Sequence, residues 1–373
     1  MNISLAAAHG RCADIPIAYD QAILEAIEQG AWFVFNLSGG KDSTCAAHSA
    51  CAFLDSQGHP RSRRLAIHAD LGRAEWRSTP ETVGKIADRL QLPLLVVRRS
   101  AGDMVARWEQ RFASGRQRYE ALSTYNLIGP WSSASLRFCT SELKVQVIGP
   151  ELARRFKGQP IISVVGLRRE ESPARRFTPI SRLDVRFAKP SNTAGTRMTT
   201  WHPIVDWTER HVFAHHKRFA LPLHEAYVRY GSTRLSCAFC VLASRRDLAA
   251  AASADSNRYL YTELVALEAR SSFSFQPTKW LADVAPHLLQ PSLLRDVEGA
   301  KIQSFERRRL EKMMPPDLRY VRGWPPRLPT WEEAYEIAQA RRPILDWHDL
   351  RDLYPTPAAI IDRFSDLMTM KPC

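Results

Sequence analysis

The chain reads Trp32-Phe33-Val34-Phe35-Asn36-Leu37, then Ser38-Gly39-Gly40-Lys41-Asp42-Ser43, and this stretch decides its fold. The first six residues form a short apolar run typical of a buried strand, and the Ala-rich stretch at about 43–56 predicts a helix. A Gly-Gly turn between them lets the backbone approach an anion closely. The helix N-terminus adds amide donors and the positive end of its dipole. The stretch therefore predicts a phosphate-binding loop at 38–43.

The side chains of this loop suit the same role. Ser38 and Ser43 add hydroxyl donors, and Lys41 adds a positive point charge. Asp42 either helps to place Mg²⁺ or orders the loop. The spacing is not that of the Walker A loop, which needs four residues between its first glycine and Gly-Lys. An ordinary strand–turn–helix junction is the alternative, but six such residues in this context favour phosphate binding.

Three more apolar runs, at 65–69, 94–97 and 161–165, predict further strands. Helical patterns cover about 19–29, 79–91, 207–220 and 243–270, whereas 168–200 is rich in Arg, Pro and Ser and is expected to be a loop. Strands that alternate with helices indicate an α/β fold with a doubly wound, Rossmann-like parallel sheet. Continuous apolar strands suit a sheet that is covered on both faces.

The composition is that of an ordinary globular chain, with 373 residues, of which 45% are hydrophobic and 24% charged. We expect a nucleotide-binding domain at 1–275 and a mainly helical, basic C-terminal subdomain at 276–373, where the composition shifts. No apolar run approaches the roughly 20 residues that a membrane span needs. The N-terminus lacks the pattern of a signal peptide, so a cytoplasmic location is expected.

Basic residues exceed acidic ones by 52 to 39, which gives a formal net charge of +13. Six arginines lie between residues 168 and 186, and a second basic cluster at 301–327 has Tyr320 and Trp324 interleaved. Such clusters attract phosphate backbones, and exposed aromatic rings can stack on unpaired bases. DNA or RNA is therefore the expected partner. The alternatives are an anionic small ligand, or a solvated helix face with core aromatics.

Further segments match a known family in order. They are His68-Ala69-Asp70-Leu71-Gly72 with Glu81-Thr82, Arg137-Phe138-Cys139-Thr140 with Leu143-Lys144, Gly166-Leu167-Arg168-Arg169-Glu170-Glu171-Ser172, and His202-Pro203-Ile204-Val205-Asp206-Trp207. With the loop Ser-Gly-Gly-Lys-Asp-Ser, they resemble the phosphoadenosine phosphosulfate (PAPS) reductase family of the PP-loop superfamily, which is related to the adenine nucleotide α-hydrolases. The resemblance spans about 32–245 and leaves the C-terminal part uncovered.

The resemblance implies a nucleotide at the carboxyl ends of the strands, where the topology changes direction. The residues it assigns to nucleotide binding are Ser38, Gly39, Gly40, Lys41, Asp42, Ser43, Asp70, Gly166, Arg168 and Glu171. Asp70 would lie near the adenosine unless it is only a turn or cap residue. Arg168 would face the phosphates unless it is a surface charge, and Glu171 would orient it or help hold Mg²⁺. Lys41, Asp42 and Arg168 are the predicted catalytic residues.

Seven cysteines, odd in number and widely spaced, argue against a disulfide scaffold. Cys237-Ala238-Phe239-Cys240 can place two thiolates on one metal, and the resemblance brings Cys139 to the same end of the sheet. These three cysteines favour a [4Fe–4S] cluster with one open iron, as in the PP-loop enzymes that thiolate tRNA. Zinc with a histidine, a redox dithiol and plain buried thiols remain open. The histidines available to zinc are His202, His215, His216 and His224.

Three functions fit these residues. In the first, ATP with Mg²⁺ adenylates a substrate, preferably nucleic acid, which then accepts sulfur from a possible donor protein, as in the related sulfur transferases of DNA phosphorothioation and tRNA thiolation. In the second, a sulfonucleotide is reduced to sulfite. The family's reductases carry a C-terminal Glu-Cys-Gly-Leu-His motif that this sequence lacks, since it ends in Lys371-Pro372-Cys373. The third is a nucleotide-binding component without turnover. The sequence favours the first.

Overall fold

The computed structural model describes residues 15–187, 189, 191–321 and 324–370. The strands of this part of the chain are β1 Trp32–Asn36, β2 Arg64–Asp70, β3 Leu94–Arg98, β4 Pro160–Val164, β5 Ser181–Leu183 and β6 Arg197–Trp201. Its helices are α1 Gln21–Glu28, α2 Lys41–Ser56, α3 Thr79–Arg89, α4 Met104–Glu120, α5 Phe138–Thr140, α6 Gln146–Arg155, α7 Glu209–Phe219, α8 Glu225–Val228, α9 Arg245–Ala252, α10 Arg258–Ser271, α11 Pro291–Glu311, α12 Trp331–Trp347 and α13 Pro357–Thr369.

The six strands form one sheet in the order β3-β2-β1-β4-β6-β5. All neighbours are parallel except β5, which runs antiparallel to β6. The chain builds outward from β1 through β2 to β3 and then returns to place β4 on the other side of β1. The predicted doubly wound α/β fold is confirmed, and the reversal between β1 and β4 creates the crevice where such sheets bind ligands.

Side chains of β1 point alternately into two buried clusters, one on each face of the sheet. Phe33 and Phe35 pack with α2 and α3 side chains in one buried cluster, whereas Val34 packs with Leu152 and Phe156 in the other. Successive strand side chains point to opposite faces, so a continuous apolar run supplies both layers. Cys45 and Cys51 of α2 are buried, as small apolar side chains would be.

Two sequence expectations need correction. The segment 168–200 is not a plain loop, because β6 pairs with β4 within it. Only Met198 and Trp201 of β6 are buried, so no apolar run marks the strand. The third strand is also not covered on both faces: Leu94 and Val96 are exposed, because β3 lies at the sheet edge.

The chain divides into two compact units. Unit 1 comprises Met1–Asp103 and Phe138–Cys240, and unit 2 comprises Met104–Arg137 and Val241–Cys373. The domain boundary predicted at residue 275 differs from this division, which assigns 241–275 to unit 2, where α10 packs against α11 and α4. No helix among the described residues has the length and apolar character that a bilayer crossing requires.

Candidate functional site

The loop at 38–43 lies where the sheet reverses direction. Asn36 ends β1, and its side-chain amide donates to Ser163 Oγ and to Val164 O of β4, both at 2.9 Å. Gly39 has a positive φ of 74°, a conformation that glycine adopts without penalty. Gly40 then caps α2, which begins at Lys41. The predicted strand, loop and helix therefore meet at the expected residues.

The serines of this loop hold its shape by short hydrogen bonds. Ser43 Oγ lies 3.0 Å from Ser38 Oγ, accepts from Ser38 N at 3.2 Å and donates to Gly40 O at 2.9 Å. Gly40 N is 3.4 Å from Ser38 Oγ. The hydroxyls thus fix a tight turn whose following helix directs its first amides toward the crevice.

The loop after β4 touches this turn directly. A Cβ on Gly166 would lie 2.5 Å from Asp42 O and 2.6 Å from Ser43 N, closer than side-chain carbons approach backbone atoms. Any residue other than glycine would force the two segments apart. The contact brings the loops that follow β1 and β4 together, as the reversed topology predicts.

Arg168 continues this contact as an ion pair. Its side chain is 6% exposed, Nε donates to Asp42 Oδ1 at 2.6 Å, and Nη1 donates to Glu170 Oε2 at 2.5 Å. The backbone N–H of Arg168 donates to Glu171 Oε1 at 3.0 Å. Arg168 is therefore a buried, oriented guanidinium, and Glu171 fixes its backbone. Glu170 and its contact with the guanidinium were not predicted from the sequence.

Lys41 is also buried, with a side chain 3% exposed. Its Nζ lies 3.3 Å from Glu209 Oε1 and 3.6 Å from Asp42 Oδ2, and donates to Thr233 O at 3.1 Å. The ammonium sits 5.2 Å from the ring centre of Tyr227. Glu209, Thr233 and Tyr227 were not predicted as partners of Lys41, because they belong to no recognised motif and lie far from it along the chain. Asp42 lies between two cations and so orders them.

Asp70 ends β2, as expected for a residue at the carboxyl edge of the sheet. It accepts from Gly72 N at 2.7 Å and from Arg98 Nε at 3.0 Å. Burial alone would raise the pKa of Asp70, but the bonds from Arg98 and Gly72 lower it overall. Asp70 is therefore a charged turn residue in this structure. Its predicted place beside adenosine stays a prediction.

His224 anchors the segment that follows α7. It is fully buried; Nε2 lies 3.1 Å from Ser78 Oγ and 3.2 Å from Thr79 Oγ1, and Nδ1 accepts from Ala226 N at 3.0 Å. Burial lowers the pKa of His224 to about 4. The ring is therefore neutral in the folded chain.

This burial predicts acid sensitivity. The folded chain binds the His224 proton only near pH 4, whereas the unfolded chain binds it near pH 6.5. The stabilising contribution is complete above pH 6.5 and is lost as the pH falls toward 4. His224→Asn keeps an acceptor for Ala226 N without the titration. Urea unfolding at about pH 5 should show the wild type losing on the order of 1 kcal/mol more than the variant, each relative to pH 7. Equal losses would contradict this role.

The three candidate cysteines lie in unit 1, and none of the five described cysteines forms a disulfide. Burial raises the pKa of Cys237 to about 12, and the charge of Cys240 contributes in the same direction. The described residues nevertheless contain no group of three or more His, Cys, Asp and Glu side chains that could hold a metal ion. The cysteines are thus not a ready-made metal site. Cys12 and Cys373 lie outside the described residues.

The histidines considered as a fourth zinc ligand have other partners. His202 Nδ1 lies 2.9 Å from Pro179 O, His215 Nε2 lies 3.0 Å from His48 Nδ1, and His216 Nε2 lies 2.9 Å from Lys41 O. Each buried ring has a local structural role. A zinc site that uses one of them gains no support from these contacts.

Four arginines of the first basic cluster and four basic residues of the second form ion pairs with acids within their own units. The pairs of the first cluster are Arg168–Asp42, Arg169–Asp206, Arg175–Glu171 and Arg186–Asp184. Those of the second are Lys301–Asp283, Arg307–Glu311, Arg309–Glu306 and Arg327–Glu333. Tyr320 is buried and donates to Leu122 O at 2.7 Å, so it is a core aromatic. Arg322 lies outside the described residues. Nucleic-acid binding stays a prediction.

Residues 33–243 match the sequence profile of a family described as "Phosphoadenosine phosphosulfate reductase domain". The match covers more than half of the chain. It contains every residue predicted above for the nucleotide and the three candidate cysteines, and it excludes the C-terminal helices.

Two individual proteins are similar over shorter or looser stretches. The "Uncharacterized 37.8 kDa protein in gpa 5'region" of Escherichia phage 186 is 32% identical over 123 residues, which are 32% of this chain and 34% of that protein. The chain thus spans about a third of that curated relative. The crystal structure of phosphoadenylyl-sulfate (PAPS) reductase from Candida auris, a phosphate complex, matches 58% of this chain and 86% of that chain, with a TM-score of 0.36 and 14% identity.

Proposed function

Since the chain belongs to the phosphoadenosine phosphosulfate reductase family, we propose that it is a PP-loop enzyme that binds ATP, as its Mg²⁺ complex, at residues 38–43. It uses the bound nucleotide to adenylate a substrate, and a sulfur nucleophile then displaces AMP from the adenylated substrate. The observation that carries the proposal is the contact between Gly166 and the backbone of Asp42, with Arg168 paired to the Asp42 side chain. Two cations and a helix N-terminus converge there, an arrangement that suits a polyphosphate.

The reaction follows from this charge arrangement. A nucleophilic oxygen of the substrate attacks the α-phosphorus, a phosphorus–oxygen bond forms, and the bond to the β-phosphate breaks. Pyrophosphate leaves with the bonding electron pair, and the substrate proton passes to solvent. Lys41 and Arg168 stabilise the charge that grows on the departing pyrophosphate, because both are buried where water screens little. Asp42 keeps the two cations in place.

Lys41→Ala tests the assignment of the loop. The variant removes the buried ammonium, and loss of one such charge at a developing anion lowers turnover about 100- to 1000-fold. The assay mixes the purified protein with ATP, Mg²⁺ and either DNA or RNA and measures released pyrophosphate. Lys85→Ala, on the exposed face of α3, is the matched control because Lys85 is exposed and pairs with Glu81 at the surface. A Lys41→Ala protein as active as the wild type would remove the loop from the mechanism.

Reduction of a sulfonucleotide is the second candidate, and the family match supports it as well as it supports adenylation. In that reaction a cysteine thiolate attacks the sulfur of a phosphosulfate nucleotide. The chain lacks the Glu-Cys-Gly-Leu-His motif, and burial raises the pKa of Cys237, which leaves little thiolate for attack. Sulfite release from a phosphosulfate nucleotide and a thiol, without pyrophosphate release from ATP, would select this function over adenylation.

The substrate that accepts sulfur and the metal cluster are proposed separately from the adenylation step. The net charge of +13 supports a nucleic-acid acceptor, with sulfur delivered by a donor protein. A [4Fe–4S] cluster on Cys139, Cys237 and Cys240 is supported by the motif spacing alone, and no step above depends on it. Analysis of iron and sulfide in protein purified without oxygen tests the cluster. Cys51→Ala, which removes a thiol away from the motif, is the control and should keep the iron and sulfide content of the wild type.

A further inference from the structure

A segment that belongs to none of the sequence motifs covers the loop at 38–43. We define the strap as residues 227–236, which run from the second half of α8 to the residue before the first cysteine of the C-x-x-C. The strap contacts the loop through its first residue, Tyr227, and through Thr233 and Leu235. These contacts involve the donors that a bound phosphate would need.

Tyr227 occupies the helix N-terminus. Its phenol oxygen accepts from Lys41 N at 3.4 Å and from Leu235 N at 2.9 Å, so one atom ties the first amide of α2 to the far end of the strap. That amide belongs to the group at a helix start which has no partner within the helix and which anions bind. A phosphate oxygen and the Tyr227 hydroxyl therefore compete for the same donor.

The ammonium of Lys41 is occupied in the same way. It has three protons, and three acceptors surround it: Thr233 O, Glu209 Oε1 and Asp42 Oδ2. Contact with a phosphate requires at least one of them to leave. Thr233 is the acceptor on an exposed segment, and it binds through a neutral carbonyl.

Firm attachments lie on both sides of the strap. Before it, His224 and Ala226 are fully buried, and His224 is hydrogen-bonded to α3. After it, Ala238 N donates to Ala74 O at 2.8 Å, and Phe239 is buried. Between these points Gly231 has a positive φ of 67° and no heavy atom near its missing Cβ. Ser232 is buried and its N–H donates to Ala226 O at 2.8 Å, which holds the turn at Gly231 against α8. The part of the strap that is free to move is therefore 233–236, which carries the contacts of Thr233 and Leu235 with the loop.

From these contacts we propose that the strap is an autoinhibitory cover, in which Tyr227 and Thr233 hold the amide and the ammonium of Lys41 until a pyrophosphate group displaces them. The inference rests on the proposed nucleotide site and adds how access to it is controlled. Displacement is favourable because hydrogen bonds to a charged phosphate are stronger than those to a phenol or a carbonyl. Only molecules with an open strap bind pyrophosphate, so the apparent affinity for pyrophosphate falls in proportion to the open fraction.

Tyr227→Phe tests the strap. The variant removes the acceptor but keeps the ring beside Lys41. The closed state therefore loses two hydrogen bonds, the long one from Lys41 N and the shorter one from Leu235 N. We expect inorganic pyrophosphate, titrated by calorimetry, to bind about 2- to 10-fold more tightly than to the wild type. Tyr230→Phe is the matched control, since that ring lies against Trp76 and is expected to bind as the wild type does. Equal or weaker binding by Tyr227→Phe overturns the proposal.

Hydrogen exchange of the wild type gives a second measurement that needs no variant. The amide of Leu235, held by Tyr227, should exchange faster when pyrophosphate is bound, whereas the amide of Ala238 should not change. Unchanged exchange at Leu235 with pyrophosphate bound also overturns the strap. If the wild type binds neither pyrophosphate nor ATP, the proposed nucleotide site fails and the strap with it. Normal binding without any effect of Tyr227→Phe refutes the strap alone.

Discussion

Arg168→Ala is expected to lower kcat/KM for nucleotide turnover by about 100-fold or more. The guanidinium makes two charged hydrogen bonds, to Asp42 and Glu170, each worth about 1.5–3 kcal/mol. Its removal leaves Glu170 without this cation and Asp42 with Lys41 alone, beside the proposed polyphosphate site. The nucleotide then meets repulsion where it had attraction, so both binding and turnover fall. Pyrophosphate release at several ATP concentrations measures the loss.

Arg154→Ala is the control for this variant. Arg154 lies on α6 with its side chain 72% exposed and pairs with Glu151 at the surface, where an ion pair contributes little. Activity of this protein should match the wild type. Arg168→Lys keeps the charge but cannot make the paired geometry, so it should recover only part of the lost activity. An Arg168→Ala protein with wild-type kcat/KM and normal folding would show that Arg168 is structural only.

Gly166→Ala is expected to destabilise unit 1 and to abolish nucleotide binding together. The new methyl group would lie 2.5 Å from Asp42 O, and backbone atoms cannot rotate away as a side chain can. Forced overpacking of this kind lowers the free energy of unfolding by about 1–3 kcal/mol. The clash is relieved when the loop after β4 moves away from α2, and this movement also separates Arg168 from Asp42. Urea unfolding and calorimetric titration with ATP measure the two effects.

Gly84→Ala makes the same substitution at an uncrowded position, where we expect the opposite effect on stability. Gly84 lies inside α3, and a Cβ there would meet no heavy atom within 4 Å. Alanine in a helix interior is more favourable than glycine by about 0.5–1 kcal/mol, so this variant should be slightly more stable and bind ATP normally. Similar destabilisation by both variants would contradict the close contact at Gly166.

Local patterns were sufficient for most of unit 1. The run at 32–37 and the glycines after it predicted β1, the turn and α2, because a strand, a tight turn and a helix start are set by neighbouring residues. The doubly wound sheet followed from the alternation of strands and helices. The strand β6 was missed, since only Met198 and Trp201 of it are buried and its pairing with β4 is not visible in its own residues.

The turn at 38–43 and the start of α2 were predicted from six consecutive residues, because those residues carry the glycines and the charges themselves. The surroundings of those charges were not. Arg168 pairs with Asp42 across 126 positions of chain, and Lys41 reaches Thr233 across 192. No periodicity links such residues; they meet only because the sheet reverses at β1 and the chain returns over the loop. Whether the cations of the phosphate loop are open or covered is therefore a property of the folded chain, set by long-range packing.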